Sequence, residues 1–143
     1  MEILKEGGVT APKGFKASSA AAEIKYKNRT DMAMVYSEKP CTQAGVFTTN
    51  IVKAAPVRWD KAVVSDSPYA QAIVVNSGIA NACTGNQGYE YCDKTANCVA
   101  ECLGIDKSAV LVASTGVIGM QLPIDRIENG IRMLSKQLEG TLE

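Results

Sequence analysis

The spacing of apolar positions changes along the chain. Phe15 to Ala20, Glu23 to Tyr26, Met32 to Ser37 and Ala44 to Thr49 are short runs, the last rich in the β-branched and aromatic residues that suit a pleated strand. They predict strands, with Asn28 to Asp31 as a connecting turn. Ahead of them, Gly7, Gly8, Pro12 and Gly14 make the first fourteen residues an irregular lead-in. Ala72 to Asn76 (AIVVN) is a compact apolar run opening into Ser77 and Gly78, the pattern of a buried strand that delivers its C-terminal end to a loop. That loop is expected to continue through Asn81, Thr84, Gly85, Asn86 and Gly88.

The period then becomes helical. Cys92, Thr95, Ala96, Val99, Cys102 and Leu103 share one face, Glu90, Asp93, Lys94, Asn97 and Glu101 fill the others, and Gly104 ends the pattern. Val110 to Ala113 (VLVA) predicts a second buried strand, running into the polar turn Ser114 to Gly119. Ile124, Ile127, Ile131, Leu134 and Leu138 predict a last helix, with Pro123 at its first position and Gly140 beyond its end. Alternation of strand, loop and helix predicts an α/β layered sheet-and-helix domain. No repeat, low-complexity tract or charged linker divides the chain, so residues 1–143 are expected to form a single unit.

Composition narrows the function. Of the 143 residues 46% are apolar, enough for a core. Fifteen basic residues balance fifteen acidic ones, leaving no electrostatic footprint for nucleic acid or an anionic membrane. The start, MEILKEGG, lacks the pattern of a secretory leader and no run is long enough to span a bilayer, so a cytoplasmic location is expected. There is no histidine, which removes a Ser-His-Asp or Cys-His site built from this chain alone. Cys41, Cys83, Cys92, Cys98 and Cys102 form no CxxC pair and are expected to be reduced, with Cys98 and Cys102 packing as small buried or half-buried residues and no metal site among them. Lys53, Arg58, Asp60 and Glu90 stand singly and read as solvated surface; Trp59 and the tyrosines are too scattered for base stacking and read as packing residues.

Two buried-type strands thus each end in a small, polar, glycine-containing loop: NSGIANACTG at Asn76 to Gly85 and STGVIG at Ser114 to Gly119. Such loops gather where α/β sheets bind ligands, glycine admits close backbone approach, and hydroxyls add uncharged donors. The pair suits an oxyanion, although the same residues also build ordinary turns. STGVIG has neither the lysine of a nucleotide-hydrolysing loop nor dinucleotide-fold spacing.

AGVFTTNIVKAAPV at Ala44 to Val57, NSGIANACTG and VLVASTGVIG, in that order, resemble the N-terminal part of the α chain of the ornithine acetyltransferase family, the bifunctional glutamate N-acetyltransferases of arginine biosynthesis. APKGF at Ala11 to Phe15 and LPIDRIENGI at Leu122 to Ile131 extend the likeness over nearly all of the chain. The resemblance implies a precursor that cleaves itself into α and β chains, an α2β2 heterotetramer, and a threonine at the start of the β chain as nucleophile. An N-terminal threonine uses its own α-amine as base, in keeping with the absence of histidine. That threonine takes acetyl from N-acetylornithine, or from acetyl-CoA as a possible second donor, and passes it to glutamate; no cofactor is implied. The family's oxyanion donors match Thr115 and Gly116. Its nucleophile and downstream substrate-binding residues match nothing in this sequence, which ends at Glu143, so a fragment or differently split α part, inactive alone, is expected. Such a part should expose apolar surface along one side. Ile79 stands where relatives carry asparagine. Two other readings of the same loops are a component of an N-terminal-nucleophile amidohydrolase, and a non-catalytic anion-binding or assembly module.

Overall fold

The computed structural model describes residues 7–140. The first six residues of the expected lead-in and the end at Glu143 lie outside them. Four strands form one sheet in the order β1 (Phe15–Ala20), β2 (Met32–Thr42), β3 (Tyr69–Asn76) and β4 (Val110–Ser114). The pairs β1/β2 and β2/β3 are antiparallel, and β3/β4 is parallel. Helix α1 (Ala55–Asp66) links β2 to β3, α2 (Gly85–Leu103) makes the crossover from β3 to β4, and α3 (Ile124–Lys136) follows β4. This is a mixed α/β layered domain. Among the described residues no helix is long and apolar enough to cross a membrane.

The register puts Met34, Val74 and Val112 on the same face, where all three are buried with Met32, Ala72 and Val110. The expected helical faces close over this side: Cys92, Thr95, Ala96 and Val99 of α2 and Ile127, Ile131 and Leu134 of α3 are buried. Glycine at position 130 lets α3 approach the sheet, since a Cβ there would strike the sulfur of Met32. The opposite face carries Phe15, Val35 and Leu111, half-buried, and Ile73, which is 42% exposed; they line one shallow cleft. The expected apolar side is therefore present.

Four sequence expectations are corrected. Glu23 to Tyr26 is not a strand: both carboxylate oxygens of buried Asp31 accept backbone amides there, from Ala22 and Ile24 at 2.7 Å each, and bend the segment. Ala44 to Thr49 is irregular, with Val46 fully exposed. At its end and just beyond, Thr48 and Asn50 accept the amides of Asn50 and Val52, so side chains provide local bonds that a ladder would otherwise make. Helix α1 was not expected; Pro56 opens it and Ala55, Trp59 and Val63 form its buried stripe. The loop expected to run through Gly88 ends earlier, because α2 begins at Gly85. A smaller difference is at Pro123, which caps α3 from outside as the residue before Ile124.

Candidate functional site

The two glycine loops lie side by side. Beyond the parallel pairing of Asn76 with Ser114, the Thr115 amide donates to the Asn76 carbonyl at 3.0 Å. The Val117 amide donates to the Gly78 carbonyl at 3.1 Å, Ala80 to Val117 at 2.9 Å, and Gly119 to Ala82 at 2.9 Å. Side chains repeat the connection: the Ser114 hydroxyl donates to Asn76 Oδ1 at 2.5 Å, and Asn76 Nδ2 donates to the Ile79 carbonyl at 2.9 Å. Gly116 has φ +129°, and a Cβ on it would overlap the carbonyl carbon and oxygen of Gly78. Only glycine permits this approach. The loops are thereby fused into one surface at the carboxyl ends of β3 and β4.

Thr115 and Gly116, the two residues singled out in the sequence, sit together and exposed on this surface. The Thr115 amide is spent on Asn76, whereas its hydroxyl and the Gly116 N–H have no acceptor among the described residues. Val117, Ile118 and Met120 beside them are exposed apolar residues, 39%, 64% and 48% accessible. Ile79, the departure from the expected asparagine, is buried and bridges to Val117, so it forms part of the packing beneath the surface.

Behind the loops is a buried polar knot that sequence reasoning did not single out. Thr84 Oγ1 donates to Asn81 Oδ1 at 2.7 Å, and Asn81 Nδ2 donates to the Gly88 carbonyl at 2.7 Å. The Asn81 carbonyl accepts the Ala55 amide at 3.1 Å, and Gln121 Nε2 donates to the Thr84 carbonyl at 2.9 Å. With the loop bonds above, the three sequence blocks are joined: the first reaches the second at Ala55 and Asn81, and the second reaches the third along Asn76 to Ala82.

Asp60 is half-buried, correcting its reading as solvated surface. Its Oδ1 accepts the Val112 amide at 2.9 Å, and burial outweighs that bond to push its carboxyl up to about 6. Lys53 is also only half-exposed, whereas Arg58 and Glu90 are exposed as expected. Trp59 is core, as the packing reading allowed, and donates its indole N–H to the Val110 carbonyl at 3.0 Å. All five cysteines are free. Cys92 is buried and its thiol is pushed up to about 12, first by burial and then by the charge of Asp60. Cys98 is buried and is likewise pushed up to about 12, whereas Cys102 is exposed, against expectation, since it lies at the solvent margin of the helical stripe.

Fold and site together define an α/β domain whose parallel strand ends present paired glycine loops with free donors. The model of the ArgJ family matches residues 16–143. The chain is 50% identical over 129 residues to the arginine biosynthesis bifunctional protein ArgJ of Gloeobacter violaceus, covering 90% of this chain and 32% of that protein. It is 52% identical over 132 residues to ArgJ 1 of Clostridium acetobutylicum, covering 92% of this chain and 32% of that protein. Among solved structures, ArgJ from Bacillus halodurans superposes with a TM-score of 0.91 at 41% identity, covering 98% of this chain and 72% of that one. Ornithine acetyltransferase from Mycobacterium tuberculosis, solved in complex with ornithine, gives 0.91 at 42% identity, covering 97% and 75%. This chain belongs to the ArgJ family. It spans about a third of the length of the curated relatives it matches.

Proposed function

We propose that this chain is the oxyanion-stabilising part of an ornithine acetyltransferase of arginine biosynthesis. In this reading the Thr115 hydroxyl and the Gly116 N–H donate to the acyl oxygen as it turns negative. The acetyl group passes from N-acetylornithine, or from acetyl-CoA as a second donor, to the amine of glutamate. A threonine on a β chain cut from the same precursor carries it between them.

The single observation behind the reading is the pair of unspent, exposed donors on a backbone fixed from beneath. Donors preset where charge develops act without reorganisation at the moment of reaction, and losing one costs on the order of 10²- to 10³-fold in rate. The ornithine complex of the M. tuberculosis relative supports the substrate class. The uncovered apolar cleft containing Val35, Ile73 and Leu111 supports association with further polypeptide, in keeping with an α2β2 assembly.

The test is Thr115→Ala in the full-length precursor, assayed for N-acetylglutamate formed from N-acetylornithine and glutamate. At least tenfold slower turnover with an unchanged melting temperature is expected, and unchanged turnover refutes the role. Release of acetate to water without use of glutamate would instead indicate an amidohydrolase. Anion binding at Ser114 to Gly119 with no turnover in the assembled protein would indicate a binding module.

A further inference from the structure

The outer edge of β4 is closed by a helix where another strand would otherwise pair. Thr115 donates its amide across the sheet to Asn76, so odd-numbered residues of β4 turn their backbone groups toward β3 and even-numbered ones turn them outward. On the outward side two consecutive side chains of α1 take the places of a neighbouring strand's backbone. The Trp59 indole N–H donates to the Val110 carbonyl at 3.0 Å, and Asp60 Oδ1 accepts the Val112 amide at 2.9 Å. An uncovered edge would leave both groups without protein partners.

The same helix is tied at its start to the loop from β3, through the Ala55 amide and the Asn81 carbonyl at 3.1 Å. Helix α1 therefore spans the two parts of the site. One end holds the loop against which Gly116 lies, and Trp59 and Asp60 hold the strand that leads into Thr115. Of these two edge contacts, the one at Val112 lies nearer to Thr115, with only Ala113 and Ser114 between.

We propose that Asp60 is a positioning residue for acyl transfer: by holding the Val112 amide it fixes where the Thr115 hydroxyl and the Gly116 N–H leave the sheet. The inference rests on the oxyanion reading above. Asp60 reaches β4 from its outer edge and acts through the strand. Oxyanion donors must meet the developing charge within tenths of an ångström, and a shift of about 1 Å from a distant change costs on the order of 10²-fold. What the contact requires is an acceptor. The carboxylate stands near one titratable group of α2, the thiol of Cys92, and burial already opposes its charge. An amide oxygen in the same place would serve the Val112 amide equally.

The experiment uses the full-length, self-processed enzyme. Asp60→Ala removes the acceptor, and Asp60→Leu removes it while keeping the bulk, in case the alanine variant does not fold. In the folded variant a fall in kcat of about fivefold or more is expected, with KM for N-acetylornithine changed less than about twofold. Hydrogen exchange in the peptide covering 110–119 should accelerate, while the peptide of α2 exchanges as in the parent. Asp60→Asn should return kcat to within about twofold of the parent. The proposal is overturned if Asp60→Ala or Asp60→Leu keeps the parent kcat, or if Asp60→Asn loses as much activity as they do. Thr115→Ala separates the two claims. If it lowers kcat and the Asp60 variants do not, only the assignment of Asp60 falls; if it leaves kcat unchanged, the oxyanion reading fails by itself.

Discussion

The side chains of Asn76 and Ser114 meet at 2.5 Å where two parallel strands end, Asn76 accepting the serine hydroxyl on Oδ1 and donating from Nδ2 to the Ile79 carbonyl. One buried amide thus joins the strand ends and also fixes the first turn of the loop. Asn76→Ala would leave the Ile79 carbonyl and the Ser114 hydroxyl without these partners. An unsatisfied buried polar group costs about 1–3 kcal/mol. The variant is expected to melt several degrees lower and, on the function proposed above, to transfer acetyl more slowly in the full-length enzyme than its melting temperature accounts for. Parent-like melting by scanning calorimetry would show that the bridge carries no such weight.

Gly116→Ala should be more severe than an ordinary surface substitution, although position 116 is exposed. The new methyl group would overlap the Gly78 backbone, and φ +129° is a conformation that alanine rarely adopts. Both effects push the two loops apart, at a cost on the order of 1–3 kcal/mol from backbone strain alone. Loss of stability and of activity together is expected, in contrast to Thr115→Ala, where activity alone should fall. Thermal melts of the two variants side by side check this difference.

Elements with a long pattern and a buried face were legible in the sequence. The stripe from Cys92 to Val99 and the run from Ile127 to Leu134 are buried as their spacing requires, and AIVVN and VLVA are the two parallel strands. The errors arose where the surroundings of a segment, and not its own composition, decided its conformation. The β-branched residues of Ala44 to Thr49 had no neighbouring strand to pair with, and Asp31 reaches back to bend Glu23 to Tyr26. Helix α1 had a signal in the spacing of Pro56, Trp59 and Val63, but Trp59 read as isolated. Missing that helix hid Asp60 as well, since its role depends on a strand fifty-two positions away in the chain. The two donor residues were named from a family resemblance; spacing alone offered only glycine loops.

The thiols should divide by burial. At pH 8 a thiol pushed up to about 12 is ionised in roughly one molecule in ten thousand, and the thiolate is the reactive form. Cys92 and Cys98 also lie on the buried face of α2, closed to reagent. Cys83 and Cys102 are exposed. Brief iodoacetamide treatment of the native protein followed by peptide mass spectrometry should therefore mark Cys83 and Cys102 and leave Cys92 and Cys98 unmodified until denaturant is added. Early labelling of Cys92 would contradict the tight closure of the polar knot beside it.

The charge of Asp60 is a cost to the folded state, and its pH dependence has a definite sign. Its carboxyl moves from an ordinary 3.8 to about 6 on folding, so between those values the folded chain holds a proton that the unfolded chain has released. Stability from this group is therefore greatest below the lower value, falls as pH rises through the window, and is level above it. A shift of about two pH units corresponds to on the order of 3 kcal/mol. Asp60 retains partial contact with water, which screens the effect, and about 1 kcal/mol is expected. Asp60→Asn removes the ionisation while keeping an oxygen for the Val112 amide. Its melting temperature minus that of the parent should therefore rise between pH 4 and 6.5 and then stay constant. A difference that is flat across this range would mean that the ionised carboxylate is as well accommodated at the β4 edge as the neutral acid.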